Sequence, residues 1–342
     1  MKCLVTGGSG YFGSLLVRNL IIEGHSCSVL DVVDADDRPP DVEFFCGDIR
    51  DSDVVRAACR DRDVVFHNVA QVPLAKDKHL FHSVNVEGTE TLLRACAGLG
   101  VGKVVYTSSS AVYGVPRSNP VTEDTEPNPG EAYGAAKLQA EKLCGDFRLR
   151  GSDITIIRPR TVLGHGRLGI FQVLFEWVRQ GRNVPVLGGG ENRYQFVHAD
   201  DLARACILAA QRPGPAAFNC GTDRFGTMRQ LLESLCRYAH TGSRVKSLPV
   251  LPATMAMRIT GKLGLSPLAA YHALMYGREF YFDIALACRE LGWQPRYSNE
   301  EMILQSYEWY LANRERVLAS SGASRHRSAV NEGVLKALRW FL

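Results

Sequence analysis

The 342 residues carry 40 lysine and arginine against 36 aspartate and glutamate, a formal charge of +4, with 46% hydrophobic and 22% charged residues. This is the composition of a globular chain long enough to bury a large core, and neither its small charge nor its motifs fit a nucleic-acid binder. No apolar run is long enough to span a bilayer, and ten scattered cysteines with no C-x-x-C pair argue against a disulfide framework or a metal site; no metal is expected.

The chain opens on a strand, Lys2–Thr6, which leaves no room for a signal peptide and, with dispersed thiols, points to a reduced, cytoplasmic chain. Further strands are expected at Cys27–Asp31, Val42–Cys46, Asp63–Asn68, Lys103–Ser108 and Ile154–Arg158, with helices between them, as at Tyr11–Glu23 and Asn85–Leu99. This alternation, with near-continuous Val/Ile/Leu strands, predicts an α/β fold whose parallel sheet is covered on both faces. After Arg158-Pro159 the rhythm breaks. Gly/Arg-rich loops (Gly164–Gly169, Gly188–Arg193) alternate with helices (Ile170–Gln180, Asp200–Ala210), Phe218–Cys220 reads as one more strand, and Ser243–Gly277 is apolar without strand alternation. The expected division is a dinucleotide-binding domain over 1–160, to which 195–220 returns, and a mostly helical substrate lobe over 161–318. A tail over 319–342 pairs a basic linker, Ser320–Arg327, with an amphipathic segment, Val334–Leu342, suited to a partner, a membrane surface or its own domain.

Thr6–Gly13 follows the first strand and opens the first helix. Gly8, Gly10 and Gly13 spell G-x-G-x-x-G, and Gly7, Gly10 and Gly13 the wider G-x-x-G-x-x-G. Such glycines let backbone turn tightly and approach a pyrophosphate resting on a helix N-terminus. Asp31 ends the second strand, 18 residues after Gly13, where an acid bonds both ribose hydroxyls and repels a 2′-phosphate. NAD is therefore the expected cofactor, rather than NADP.

Tyr133 and Lys137 form Y-x-x-x-K on a predicted helix, one turn apart on one face. A phenol with a pKa of about 10 is a poor base, but a neighbouring ammonium favours the phenolate and makes the pair a general acid/base. The run Thr107–Ser110 ends the fifth strand, where a hydroxyl can hold a substrate oxygen.

These motifs together resemble the extended short-chain dehydrogenase/reductases, the superfamily of nucleotide-sugar epimerases, sugar dehydratases and hydroxysteroid dehydrogenases. The similarity runs from the glycine loop to about Trp309 and includes Gly47–Ile49, Asn68–Ala70, Asn85–Thr89, Val112–Gly114 and Arg158-Pro159. It implies a Rossmann doubly wound sheet, and NAD held by Gly7, Gly10, Tyr11, Phe12, Gly13, Asp31, Asp48, Ile49, Asn68, Val69, Ala70, Asn85, Ser108, Tyr133, Lys137, Arg158 and Pro159. It also implies a catalytic set of Tyr133, Lys137 and Ser109, with Ser110 second. Extended members pair through helices, one of them the Tyr133 helix, which implies a homodimer.

The reaction is less sharply marked. Sugar dehydratases of this superfamily carry Asp-Glu after the catalytic hydroxyl, where this chain has Ser110-Ala111, so dehydration is disfavoured. Ser108–Gly114 followed by Val121–Pro129 resembles sugar epimerases acting on a nucleotide- or lipid-linked sugar. Against this, Arg160-Thr161 stand where an Asn is usual, Tyr194 where a phosphate-binding Arg is usual, with Arg193 beside it, and no Arg-x-Gly-Asp follows. Leu265–Leu268 and Phe280–Asp283 resemble the hydroxysteroid branch, so an oxidoreductase acting on an apolar alcohol or ketone is the alternative. A non-enzymatic NAD-sensing protein would typically lack the tyrosine or the lysine. Arg160, Thr161, Arg167, Arg193, Tyr194 and Arg278 are candidate substrate contacts, the arginines as phosphate clamps. His67 and His198 read as structural histidines.

Overall fold

A computed structural model describes residues 1–71, 79–166, 170–255 and 277–319. The expected contacts at Arg167 and Leu265–Leu268, and the tail from Ser320 onward, lie outside the described residues.

The strands β1 (Lys2–Thr6), β2 (Ser26–Asp31), β3 (Glu43–Cys46), β4 (Val64–His67), β5 (Lys103–Thr107) and β6 (Ile154–Pro159) form one parallel sheet with a late-arriving strand, β10 (Ala216–Cys220). Their order is β10-β6-β5-β4-β1-β2-β3, and it reverses direction at β1, leaving a crevice between the carboxyl ends of β1 and β4. Side chains alternate across the sheet as period 2 demands. Cys3, Val5, Val29 and Phe66 face one core, roofed by α1 (Tyr11–Ile22) and α7 (Ala199–Gln211). Leu4, Leu30, Val65 and Tyr106 face the other, roofed by α2 (Ser52–Cys59), α4 (Gly88–Leu99) and α5 (Ala132–Leu149). A four-residue turn of helix, α3 (His79–His82), and a π-turn over Ser83–Glu87 lead into α4, so the helix expected from Asn85 begins in a wider coil.

The C-terminal region is mostly helical, as expected, with short strands added. Beside α6 (Ile170–Arg179), α8 (Met228–Ala239), α9 (Ala285–Leu291) and α10 (Asn299–Ala319), it holds two short parallel pairs. These join β7 (Thr161–Leu163) to β9 (Phe196–His198), and β8 (Val184–Leu187) to β11 (Val245–Leu248). Strands of three and four residues leave too little alternation to read, and β11 exposes Lys246 and Ser247 in succession.

A third core fastens α10 to α6 and α8 through Phe175, Val178, Leu235, Met302 and Tyr310. Beside it lies the carboxylate of Glu176, which accepts from Arg179, Gln180, Tyr310 and Arg314 at 2.6–3.1 Å. Burial would raise this carboxyl, but those donors hold it well below the usual range. A depressed folded value means the stabilisation is present above the unfolded pKa of about 4.3 and lost as pH falls below it. Glu176→Gln is expected to lower unfolding stability by about 1–3 kcal/mol at neutral pH, with the gap to wild type narrowing in acid, as read by urea unfolding at pH 7 and pH 3.5.

Candidate active site

The glycine loop turns because Gly7 has φ +72° and because its neighbours tolerate no side chain. A Cβ on Gly13 would stand 2.0 Å from the Gly7 carbonyl oxygen, and one on Gly7 would stand 3.0 Å from the Val69 nitrogen. Gly8 instead abuts Val29, so Gly7, Gly10 and Gly13 make the turn and Gly8 makes sheet packing possible. Helix α1, which opens with Tyr11 and Phe12, starts at Gly10 without a side-chain cap, the arrangement that suits an anion. Tyr11 is buried, its hydroxyl on the His165 carbonyl at 3.2 Å.

Across the crevice, Asp31 accepts from the backbone nitrogens of Ser9 (3.1 Å) and Val32 (2.8 Å), which fixes its carboxylate beside the loop. Burial raises its pKa and these N–H groups draw it back. Gly47 N reaches the Asp31 carbonyl, which brings Asp48 and Ile49 to the same edge. Asp48 is gripped by Arg50, and Ile49 is buried where Gly88 leaves room for it. Thr107 donates to Asn68 Oδ1 at 2.5 Å. Two polar atoms on this rim, Ser9 Oγ and Asn68 Nδ2, are buried with no hydrogen-bond partner among the described residues. A bare helix start, a loop closed to any Cβ and two unsatisfied polar atoms fit a dinucleotide.

Asn85 serves the rim from behind. Its amide takes both backbone groups of Gln71, at 2.7 and 3.0 Å, and so fixes the exit of Asn68–Ala70. His67 is fully buried between Thr6 Oγ1 (2.8 Å) and Thr89 Oγ1 (2.9 Å), and burial pushes its pKa down to about 3. It is a neutral tie between β1, β4 and α4.

Helix α5 delivers the Tyr133/Lys137 pair. Glu131 caps it, with the nitrogens of Tyr133 (2.8 Å) and Gly134 (2.7 Å) donating to its carboxylate. Gly134 lets the helix lie against the short 3-10 turn Ser110–Tyr113, since a Cβ there would be 2.4 Å from the Ala111 carbonyl oxygen. The Tyr133 ring meets Phe81 edge-on at 6.2 Å. Lys137 is 1% exposed, donates to the Thr107 carbonyl at 2.8 Å and lies 4.7 Å from the centre of the Tyr106 ring. Burial pulls its pKa down to about 8, against an opposing pull from the Glu141 charge.

The three serines separate by what they bond. Ser109 Oγ accepts from Ala111 N at 3.1 Å, which leaves its own hydroxyl proton to donate. Ser110 Oγ accepts from Arg160 Nη1 at 2.9 Å. Ser108 instead donates to Glu141, which is ion-paired to Arg158 at 2.7 Å, and Arg158 continues to the Tyr113 hydroxyl. Ser108 and Arg158, expected at the cofactor, therefore have their side chains in this buried network, while Pro159 ends β6 beside Cys220.

The expected substrate contacts also divide. Arg160 is 1% exposed, enclosed by Phe280, Tyr194 and Phe282, and donates to Ser110 Oγ and the Phe280 carbonyl. Tyr194 is buried with its hydroxyl 2.9 Å from Thr161 Oγ1. Arg193 is exposed and lies over Tyr281 (4.4 Å) and Phe225 (5.0 Å). Arg278 is exposed, and its carbonyl accepts from Asn192. His198 caps α7 by accepting from Asp200 N, while Asp201 anchors Arg296 and Tyr297. Sequence reasoning missed Glu131, Gly134 and Glu141, although an acid just before a helix and an acid one turn beyond the lysine were visible signals.

Residues 3–221 match the model of the NAD dependent epimerase/dehydratase family. The chain is 53% identical to the uncharacterized protein y4nG of Sinorhizobium fredii, over 99% of this chain and 86% of that one. It is 30% identical to a UDP-glucose 4-epimerase of Mycolicibacterium smegmatis, over 91% of this chain and 98% of the relative. It is 29% identical to a 3 beta-hydroxysteroid dehydrogenase/Delta 5-->4-isomerase of Mycobacterium tuberculosis, over 96% and 95%. Among solved structures, UDP-glucose 4-epimerase of Thermotoga maritima with UDP-glucose aligns with a TM-score of 0.78 at 26% identity, covering 92% of this chain and all of that one.

Proposed function

We propose that this chain, which belongs to the NAD dependent epimerase/dehydratase family, is a sugar epimerase that inverts a secondary carbinol of a nucleotide-linked sugar. The observation that carries this reading is Arg193, an exposed guanidinium laid over the Tyr281 and Phe225 rings. A cation beside two aromatic faces suits a diphosphate joined to a base. End-to-end similarity to UDP-glucose 4-epimerases supports the same reading.

NAD supplies the hydride acceptor and donor. Tyr133 takes the proton of the substrate hydroxyl and later returns it. Lys137, held on the Thr107 carbonyl, places positive charge on the Tyr133 face of α5 and favours the phenolate. Ser109 donates its hydroxyl proton to the substrate oxygen, and its own oxygen is already committed to Ala111 N. For an epimerase, the oxidised sugar would have to turn its other face to the hydride donor, with Tyr133 returning the proton to the same oxygen.

The second reading, a dehydrogenase of apolar alcohols, is favoured by the similarity to the hydroxysteroid enzyme. One experiment separates the two: denature the purified protein, assay the released nucleotide, and incubate native protein with UDP-glucose. Close to one NAD per chain and appearance of the C4 epimer are expected. A site that exchanges NAD freely and leaves UDP-glucose unchanged would overturn the epimerase reading and favour the dehydrogenase.

A further inference from the structure

Between β2 and β3 the chain folds over the glycine loop and a cavity opens, walled by Gly8, Ser9, Ala35, Asp37 and two arginines, Arg18 and Arg38. The unpartnered Ser9 Oγ belongs to this wall. Two guanidinium groups sharing a cavity with Ser9, whose nitrogen donates to Asp31, would ordinarily invite a phosphate. Here both are engaged. Arg38 donates Nε and Nη2 to the two oxygens of Asp34 at 2.7 and 2.9 Å, gives Nη1 to the Val42 carbonyl and lies over Phe44. Arg18 Nη2 meets Asp37 at 2.7 Å. These pairs are partly exposed, and solvent screening keeps their contribution to stability small. Their larger effect is that a carboxylate already fills the fork of Arg38 that a phosphate would use.

We infer that Asp34 and Asp37 determine cofactor specificity together with Asp31: by holding Arg38 and Arg18 they deny a 2′-phosphate the cations that would bind it. The inference rests on the NAD assignment and extends it from one acid to three. Asp31 repels the phosphate, while Asp34 and Asp37 withhold its counter-charge, so removing Asp31 alone leaves the second barrier standing.

The test compares full-length wild type, Asp31→Asn and Asp31→Asn/Asp34→Asn/Asp37→Asn, each stripped of nucleotide and titrated with NAD and NADP in competition. The NADP-to-NAD affinity ratio of the triple variant is expected to exceed that of the single variant by about tenfold or more, the worth of one charge-assisted contact. Adding Arg18→Ala and Arg38→Ala to the triple variant should return the ratio to that of Asp31→Asn. Because Asp31 also holds Ser9 and Val32, Asp34→Asn/Asp37→Asn with Asp31 intact gives a second measurement on an undisturbed loop, and its ratio should rise severalfold over wild type. Equal ratios in single and triple variants, or a gain that survives loss of both arginines, would overturn the inference. A wild type that binds neither nucleotide would overturn the NAD assignment and this inference with it.

Discussion

Tyr133→Phe is expected to lower turnover by roughly 10²–10⁴-fold while the purified protein keeps its nucleotide content. The substitution removes one hydroxyl and retains the ring that meets Phe81. Two contacts that position α5 do not use that hydroxyl: the Glu131 cap acts on backbone nitrogens, and the approach at Gly134 is to a backbone carbonyl. Folding and dinucleotide binding should therefore survive, leaving the proton transfer as the only loss. Conversion of UDP-glucose and released NAD, measured on one preparation, check both halves. Activity persisting at the wild-type level would remove Tyr133 from the chemistry, and loss of the nucleotide would make it a binding residue.

Lys137→Met is expected to abolish turnover and yet raise the unfolding stability of the nucleotide-free protein by about 1–2 kcal/mol near neutral pH. Lys137 has a folded pKa of about 8, against about 10.4 for a free lysine, because burial disfavours its charged form. Below pH 8 the lysine is protonated in both states, so the full burial penalty, on the order of 3 kcal/mol, falls on the folded protein. The penalty fades as pH rises from 8 and is gone above about 10.4, where both states are neutral. Methionine removes the penalty but leaves the Thr107 carbonyl without its donor, which offsets part of the gain. Denaturant unfolding of both proteins at pH 7 and pH 10.5 checks this, and the stability difference should shrink or reverse at the higher pH. A variant less stable than wild type at pH 7 would mean that Lys137 is held for packing and not against a cost.

The same weighing explains what could be read in advance. Strands β1, β2, β4, β5 and β6 were legible because buried parallel strands are short apolar runs, and the glycine loop because only glycine fits between the Gly7 carbonyl and helix α1. Tyr133 and Lys137 were legible because their spacing is a property of one helix. What a neighbour decides was not legible. Ser108, Ser109 and Ser110 are indistinguishable as letters, and only Glu141, Ala111 N and Arg160 tell them apart. Arg160 and Arg193 were both candidates for phosphate; one is enclosed by Phe280, Tyr194 and Phe282, residues distant from it in sequence, and the other is exposed.

Strand β10 reaches the sheet only after the chain has built β7, β8, α6, β9 and α7, and it pairs along β6 from Ala216 to Cys220. A fragment ending near residue 160 would contain every strand of the nucleotide crevice but would leave the apolar β6, Ile154–Pro159, as an open flank. Such a flank recruits strands from other molecules, so the fragment should aggregate instead of binding NAD as a monomer. Cutting the chain at its apparent boundary would convert a sealed edge into a sticky one.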